Sequence, residues 1–182
     1  VTLGAGGVGL NCIQAAAIIG ALTNIAVDLS PNKLEAAMTF GATHALNATR
    51  PDVVDKIKTL TADRGADYVF VATGSGAAMA VAPLLVRRGG TVVLVGMAPS
   101  GLKVEYEPLD IANDSIRLIG SKMGGARLQT DIPTLLAHYR SGRLKLDELV
   151  SGCYPLEDIN KAIDSVKRGE ALRNVIVFSG EG

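Results

Sequence analysis

A glycine-rich hexapeptide, Gly4-Ala5-Gly6-Gly7-Val8-Gly9, lies between the apolar Val1-Thr2-Leu3 and a largely apolar stretch that runs on to Gly20. Few folds have a use for such a segment. Its spacing fits G-x-G-x-x-G at a strand-to-helix junction. There the first glycine permits a sharp turn off the strand. The second lets a pyrophosphate approach the backbone, and the third lets the helix pack closely on the sheet. The N–H groups where the helix starts, around Gly7 and Val8, have no intrahelical partner. With about half a positive charge from the macrodipole, they suit a phosphate. In a chain with 21 glycines the hexapeptide alone could be an ordinary turn. Its place between a strand end and a helix start is what gives it weight.

The rest of the chain keeps a strand–helix rhythm. Residues 7–20 predict a helix apolar nearly all round, hence buried on several sides. Asn24 to Asp28 predicts a second strand. Ser30 caps the next helix, and Pro31 stands at its first position, where a missing N–H costs nothing. Leu34, Ala37, Met38 and Gly41 recur at helical spacing and predict its buried face. His44 to Leu46 reads as a short strand, and Pro51 opens a helix with Val53, Ile57 and Leu60 inward. Tyr68 to Ala72 and Thr91 to Val95 are continuous apolar runs, as in strands covered on both faces. Ala77 to Val86 predicts the helix between them, with Arg87-Arg88-Gly89-Gly90 as the turn out. Ile116 to Ser121 predicts a sixth strand. The pattern predicts an α/β fold: a Rossmann, doubly wound parallel sheet of about six strands. Two amphipathic helices follow, marked by Ile132 to Tyr139 and Leu156 to Val166, and a strand from Arg173 to Phe178 ends a C-terminal helical and strand extension.

Asp28 lies 19 residues after Gly9, at the end of the second predicted strand. An acid there can accept hydrogen bonds from adenosine ribose hydroxyls. The competing reading is a turn aspartate beside Ser30. A 2′-phosphate beside this carboxylate would meet repulsion of about 4 kcal/mol at ~4 Å and an effective dielectric near ~20. No arginine follows immediately to relieve it, so the expected cofactor is NAD rather than NADP.

Composition narrows the partners. Lys+Arg and Asp+Glu both number 18, so the chain has no net charge. That disfavours nonspecific nucleic-acid binding or docking on an anionic membrane. The cysteines Cys12 and Cys153 and the histidines His44 and His138 are scattered without metal-ligand spacing, so no catalytic or metal residue is assigned. Cys12 reads as a small core residue. The few cysteines fit a reducing compartment, expected to be the cytoplasm. Val1 is not an initiator methionine and the first strand reads as cut short. A fragment whose missing part lies upstream is therefore expected.

The residues Gly4-Ala5-Gly6-Gly7-Val8-Gly9-Leu10-Asn11, Gln14-Ala15-Ala16, Val27-Asp28 with Lys33, and Phe40-Gly41-Ala42-Thr43-His44 resemble the coenzyme domain of the medium-chain, zinc-dependent alcohol dehydrogenases. So do Ala72-Thr73-Gly74, Gly89-Gly90-Thr91 and Val95-Gly96. The resemblance covers essentially the whole chain. It implies an NAD-binding domain that positions the nicotinamide for hydride transfer from a small alcohol, with an aldehyde as its oxidised counterpart. It implies further cofactor contacts. Lys33 would meet the adenosine ribose, and Thr73 and Gly74 would border the adenine. The backbone of Val95, Gly96 and Met97 would meet the nicotinamide carboxamide. Met123 would lie at the nicotinamide edge and Arg173 would reach the pyrophosphate. In that family the catalytic zinc ligands precede the glycine loop, so zinc is expected only in the missing N-terminal domain, and this chain alone is expected to be inactive. Residues 1–123 would form the dinucleotide-binding domain and 124–182 a segment that contacts the catalytic domain. The family also pairs these domains edge to edge near the sixth strand, implying a homodimer or higher homo-oligomer. The rival readings are a zinc-free quinone or enoyl reductase of the same superfamily, which Asp28 disfavours, a non-catalytic nucleotide-sensing module, and, more weakly, a methyltransferase.

Overall fold

A computed structural model of the chain describes residues 1–178. Six strands form one wholly parallel sheet: β1 (Thr2–Leu3), β2 (Ile25–Asp28), β3 (His44–Asn47), β4 (Ala66–Val71), β5 (Val86–Leu94) and β6 (Arg117–Gly120). Their order is β3-β2-β1-β4-β5-β6. Helices α1 (Gly7–Ile18), α2 (Pro31–Thr39), α3 (Val53–Leu60), α4 (Gly76–Leu85) and α5 (Pro108–Asn113) connect successive strands. The order reverses between β1 and β4, so their carboxyl ends flank a crevice. Open α/β sheets bind ligands at that switch point.

The apolar runs form the centre of the sheet. Val69, Val71 and Val92 on β4 and β5 pack with Leu3, Ile25 and Val27, and Ile57 of α3 and Leu85 of α4 cover them. Each such side chain contributes about 1.5–3 kcal/mol by leaving water. Asn24 is buried just before β2. Its Nδ2 donates to the Ile13 carbonyl at 2.8 Å and the Gly41 carbonyl at 3.0 Å, which ties α1 and the exit of α2 to β2.

Three local expectations are corrected. Helix α1 buries only Gly9, Leu10, Ile13 and Gln14, and Val8 and Ile19 are exposed. A helix on the outside of a sheet has one inner face, whatever its composition. On α2, Ala37 is buried but Met38 is exposed. The segment Arg87-Arg88-Gly89-Gly90 is no turn between elements. Val86 already pairs with Ala66, and Thr91 pairs with Tyr68, so residues 87–90 bulge within β5 against the single Asp67. Gly89 supplies a φ of +69° there, and the Arg87 guanidinium binds the Asp67 carboxylate.

The chain divides into two compact units, Val1–Pro133 and Thr134 onward, with the division inside α6 (Leu128–Arg140). The second unit carries β7 (Val150–Pro155), α7 (Ile159–Lys167) and β8 (Arg173–Val177), and β7 and β8 pair in parallel. The apolar alternation did not announce β7 or the short α5. The predicted last strand ends at Val177, one residue early.

Candidate functional site

The three motif glycines have different reasons to be glycine. Gly4 turns off β1 with φ +94°, and a Cβ there would stand 3.2 Å from Thr73 Cβ. At Gly9, a Cβ would stand 1.8 Å from the Gly4 carbonyl oxygen. The fold itself therefore requires both. Gly6 differs: its φ is −77°, open to any residue, and nothing lies within 4 Å of where its Cβ would point. The protein has no internal need for glycine at position 6. The open side adjoins the first N–H groups of α1, whose cap makes no side-chain hydrogen bond and whose first turn carries no acid. Those N–H groups lack intrahelical acceptors and favour an anion.

Asp28 ends β2 beside this loop. Its Oδ2 accepts from the Ala5 N–H at 2.7 Å and its Oδ1 from the Ser30 N–H at 2.9 Å. The carboxylate thus belongs to the loop as well as to the strand end. Two backbone donors use about half of its roughly four acceptor positions, which leaves capacity for ligand hydroxyls. Lys33 lies in the first turn of α2, partly exposed.

The loops after β4 and β5 interlock. A Cβ on Gly74 would stand 2.5 Å from the Met97 carbonyl oxygen, and one on Gly96 would stand 2.3 Å from the Thr73 carbonyl oxygen. The N–H groups of Val95 and Gly96 both donate to the Val71 carbonyl, at 3.0 and 2.8 Å. Thr73, Gly74, Val95, Gly96 and Met97 are therefore one backbone-packed pair of loops at the switch point. Met123 opens a single 3₁₀ turn after β6 with φ +53°, followed by Gly124 and Gly125, also at positive φ. Val8, Met97 and Met123 are 54%, 83% and 87% exposed, so this edge offers apolar side chains beside polar backbone. Because the sheet is parallel, Gly4 to Gly9, Asp28, Lys33, Thr73, Gly74, Val95 to Met97 and Met123 all follow carboxyl ends of strands, on one edge of the first unit. Arg173 begins β8 in the second unit and is exposed.

Cys12 is partly buried, and that burial pushes its thiol pKa up. A raised pKa withholds the reactive thiolate. Among the described residues no three His, Cys, Asp or Glu side chains gather as a metal site. Two contributors to the edge have no signature in the linear pattern. One is the Ala5 N–H, and the other is Arg50, three residues beyond Asn47, which pairs with Asp28. The adjacency of β3 to β2 is the only signal that could have brought Arg50 forward.

Residues 7–141 match the family described as zinc-binding dehydrogenase. The chain belongs to that family. It is 36% identical to an alcohol dehydrogenase class-3 of Cereibacter sphaeroides, over 98% of this chain and 49% of the relative. The chain thus spans about half the length of the curated relatives it matches. The crystal structure of benzyl alcohol dehydrogenase from Acinetobacter calcoaceticus superposes with a TM-score of 0.93 at 31% identity, covering 98% of this chain and 49% of that one. A Sinorhizobium meliloti protein solved with NADP bound superposes at 0.81 and 29% identity, over 97% and 51% of the two chains. The zinc-binding dehydrogenase fold is therefore a Rossmann sheet in this chain, and its relatives are alcohol dehydrogenases.

Proposed function

We propose that this chain is the dinucleotide-binding part of an NAD-dependent alcohol or aldehyde dehydrogenase. It positions the nicotinamide for hydride transfer from a small alcohol. The observation that carries this reading is Gly6, small where the fold has no need of smallness, beside unpartnered helix N–H groups.

The pyrophosphate lies on the N–H groups from Gly6 to Gly9. Asp28 accepts from the adenosine ribose hydroxyls through the acceptor positions left by Ala5 and Ser30, and Lys33 supports the same ribose. Thr73 and Gly74 border the adenine. The backbone of Val95, Gly96 and Met97 holds the carboxamide, and Met123 covers the nicotinamide edge. NAD is preferred over NADP because the Asp28 carboxylate favours hydroxyls and repels a 2′-phosphate. Bound NAD supplies the hydride acceptor. The described residues offer no donor set for zinc. We propose that its ligands lie in the half of the relatives' length that this chain does not span, and that this chain alone has no turnover. Residues 1–123 act as the dinucleotide-binding domain and 124–182 contact the catalytic part. The protein works in the cytoplasm as a homo-oligomer. No helix among the described residues is long and apolar enough to cross a membrane.

Titration of NADH into the chain tests the reading. The chain contains no tryptophan, so binding is followed by the change in NADH's own fluorescence, corrected for free NADH, and not by protein fluorescence quenching. Wild type saturates with NADH. Gly6→Val places its side chain in open space, so it keeps the fold and loses binding. Equal affinity of the two proteins would refute the reading, and alcohol turnover by the zinc-loaded chain would refute its inactivity.

A further inference from the structure

Given the dinucleotide reading, the ends of β2 and β3 also bear on which dinucleotide is excluded. Strand pairing sets Asn47 of β3 opposite Asp28 of β2. The Ala48 N–H donates to the Asp28 carbonyl at 3.0 Å, and Asn47 Nδ2 donates to the Leu29 carbonyl at 3.3 Å. The chain then turns at once, closed by the Arg50 N–H donating to the Asn47 carbonyl at 3.2 Å. Neighbouring strands lie about 4.8 Å apart, and the ends of such a turn lie within about 7 Å. The Arg50 Cα therefore stands within about 12 Å of the Asp28 Cα, at the same carboxyl edge of the sheet.

Its guanidinium is already engaged. Nε donates to Asp52 Oδ1 at 2.9 Å and Nη2 donates to Asp52 Oδ2 at 2.8 Å. This is the two-pronged geometry that arginine also offers to phosphate. The side chains of Arg50 and Asp52 are 52% and 39% exposed. Water and salt weaken such a pair, so it is a hold that can be released. The segments leaving β2 and β3, as far as the first turn of α2, carry Asp28, Lys33, Arg50 and Asp52, two acids and two bases.

We propose that the Arg50–Asp52 pair is a second determinant of cofactor choice. Arg50 is a latent anchor for a 2′-phosphate, and Asp52 withholds it. Asp28 repels the phosphate directly, and Asp52 denies it the guanidinium that would offset that repulsion. Selection against the 2′-phosphate is thus divided between two carboxylates, one at the end of each neighbouring strand.

The test titrates NADH and NADPH into the 182-residue chain and into Asp52→Asn, Arg50→Ala and the double variant. Asp52→Asn is expected to tighten NADPH binding by about fivefold, the size of one exposed ion pair. The gain shrinks as salt is raised. NADH binding stays within about twofold, since no phosphate stands at that position. Arg50→Ala in the Asp52→Asn background removes the gain. Unchanged NADPH affinity in Asp52→Asn, with NADH binding intact, overturns the inference and leaves the dinucleotide reading standing. A gain that survives in the double variant reports net charge alone and also overturns it. A wild-type chain that binds neither nucleotide overturns both.

Discussion

Asparagine at position 28 has the shape of aspartate and the wrong hydrogen-bonding pattern. Both carboxylate oxygens of Asp28 accept backbone N–H groups, from Ala5 at 2.7 Å and Ser30 at 2.9 Å. An asparagine amide can accept with its oxygen only, so its NH₂ must face one of the two donors. The variant loses one charge-assisted hydrogen bond, worth about 1.5–3 kcal/mol, and leaves a partly buried N–H without an acceptor. A loss of about 2 kcal/mol lowers Tm by roughly 4–8 °C in a chain of this size. The stability change is read without ligand, by calorimetry and urea melts. NADH affinity is read separately and is expected to fall by at least about tenfold, since ~1.4 kcal/mol suffices for that. Asp28→Gly removes the repulsion as well, so it narrows the ratio of NADH to NADPH affinity. Asp28→Asn with wild-type Tm would refute the argument that the carboxylate clamps the loop. Wild-type NADH affinity would refute its ribose role.

Other outcomes follow from the same geometry. Gly9→Ala drives a methyl to 1.8 Å from the Gly4 carbonyl oxygen, so it should lower stability by about 1–3 kcal/mol, whereas Gly6→Val should melt like wild type; equal melts for both would refute the division of labour among the glycines. The Asp67 carboxyl is held below its usual range chiefly by its hydrogen bond from Arg87. A depressed folded pKa gives stability that is present above the unfolded pKa and is lost as pH falls through the folded one. Being exposed, the pair contributes only about 0.2–1 kcal/mol, so Asp67→Asn should melt slightly lower than wild type near neutral pH and the gap should close in acid; a gap that widens in acid would reverse the sign of the argument. Strand β6 ends the sheet, and an unpaired edge favours pairing with a second copy. Leu118 packs on the core and Ile119 is exposed, so Ile119→Asp should dissociate the dimer in sedimentation without unfolding it, and a concentrated wild-type monomer would end the dimer proposal.

Much of this protein was legible along the chain, because its signals are local. G-x-G-x-x-G states its own steric requirements, and Asp28 falls at a fixed distance from it. The runs Tyr68 to Ala72 and Thr91 to Val95 mark the central strands of the parallel sheet, although Tyr68 is left exposed at the start of its run. The rest depended on which segments become neighbours. Burial on α1 followed its contact with the sheet rather than its composition, which left Val8 and Ile19 outside. Arg87 to Gly90 reads as a turn in isolation, yet β5 absorbs it as a bulge because Val86 and Thr91 on either side of it pair with Ala66 and Tyr68 of β4. The clamp of Asp28 on the Ala5 N–H joins residues 23 positions apart. Arg50 is 22 positions beyond Asp28 in the sequence, and only the pairing of β3 with β2 brings it to the same edge. Sequence patterns record what each residue prefers locally. Distances between strands, and the charges they bring together, exist only once the sheet has formed.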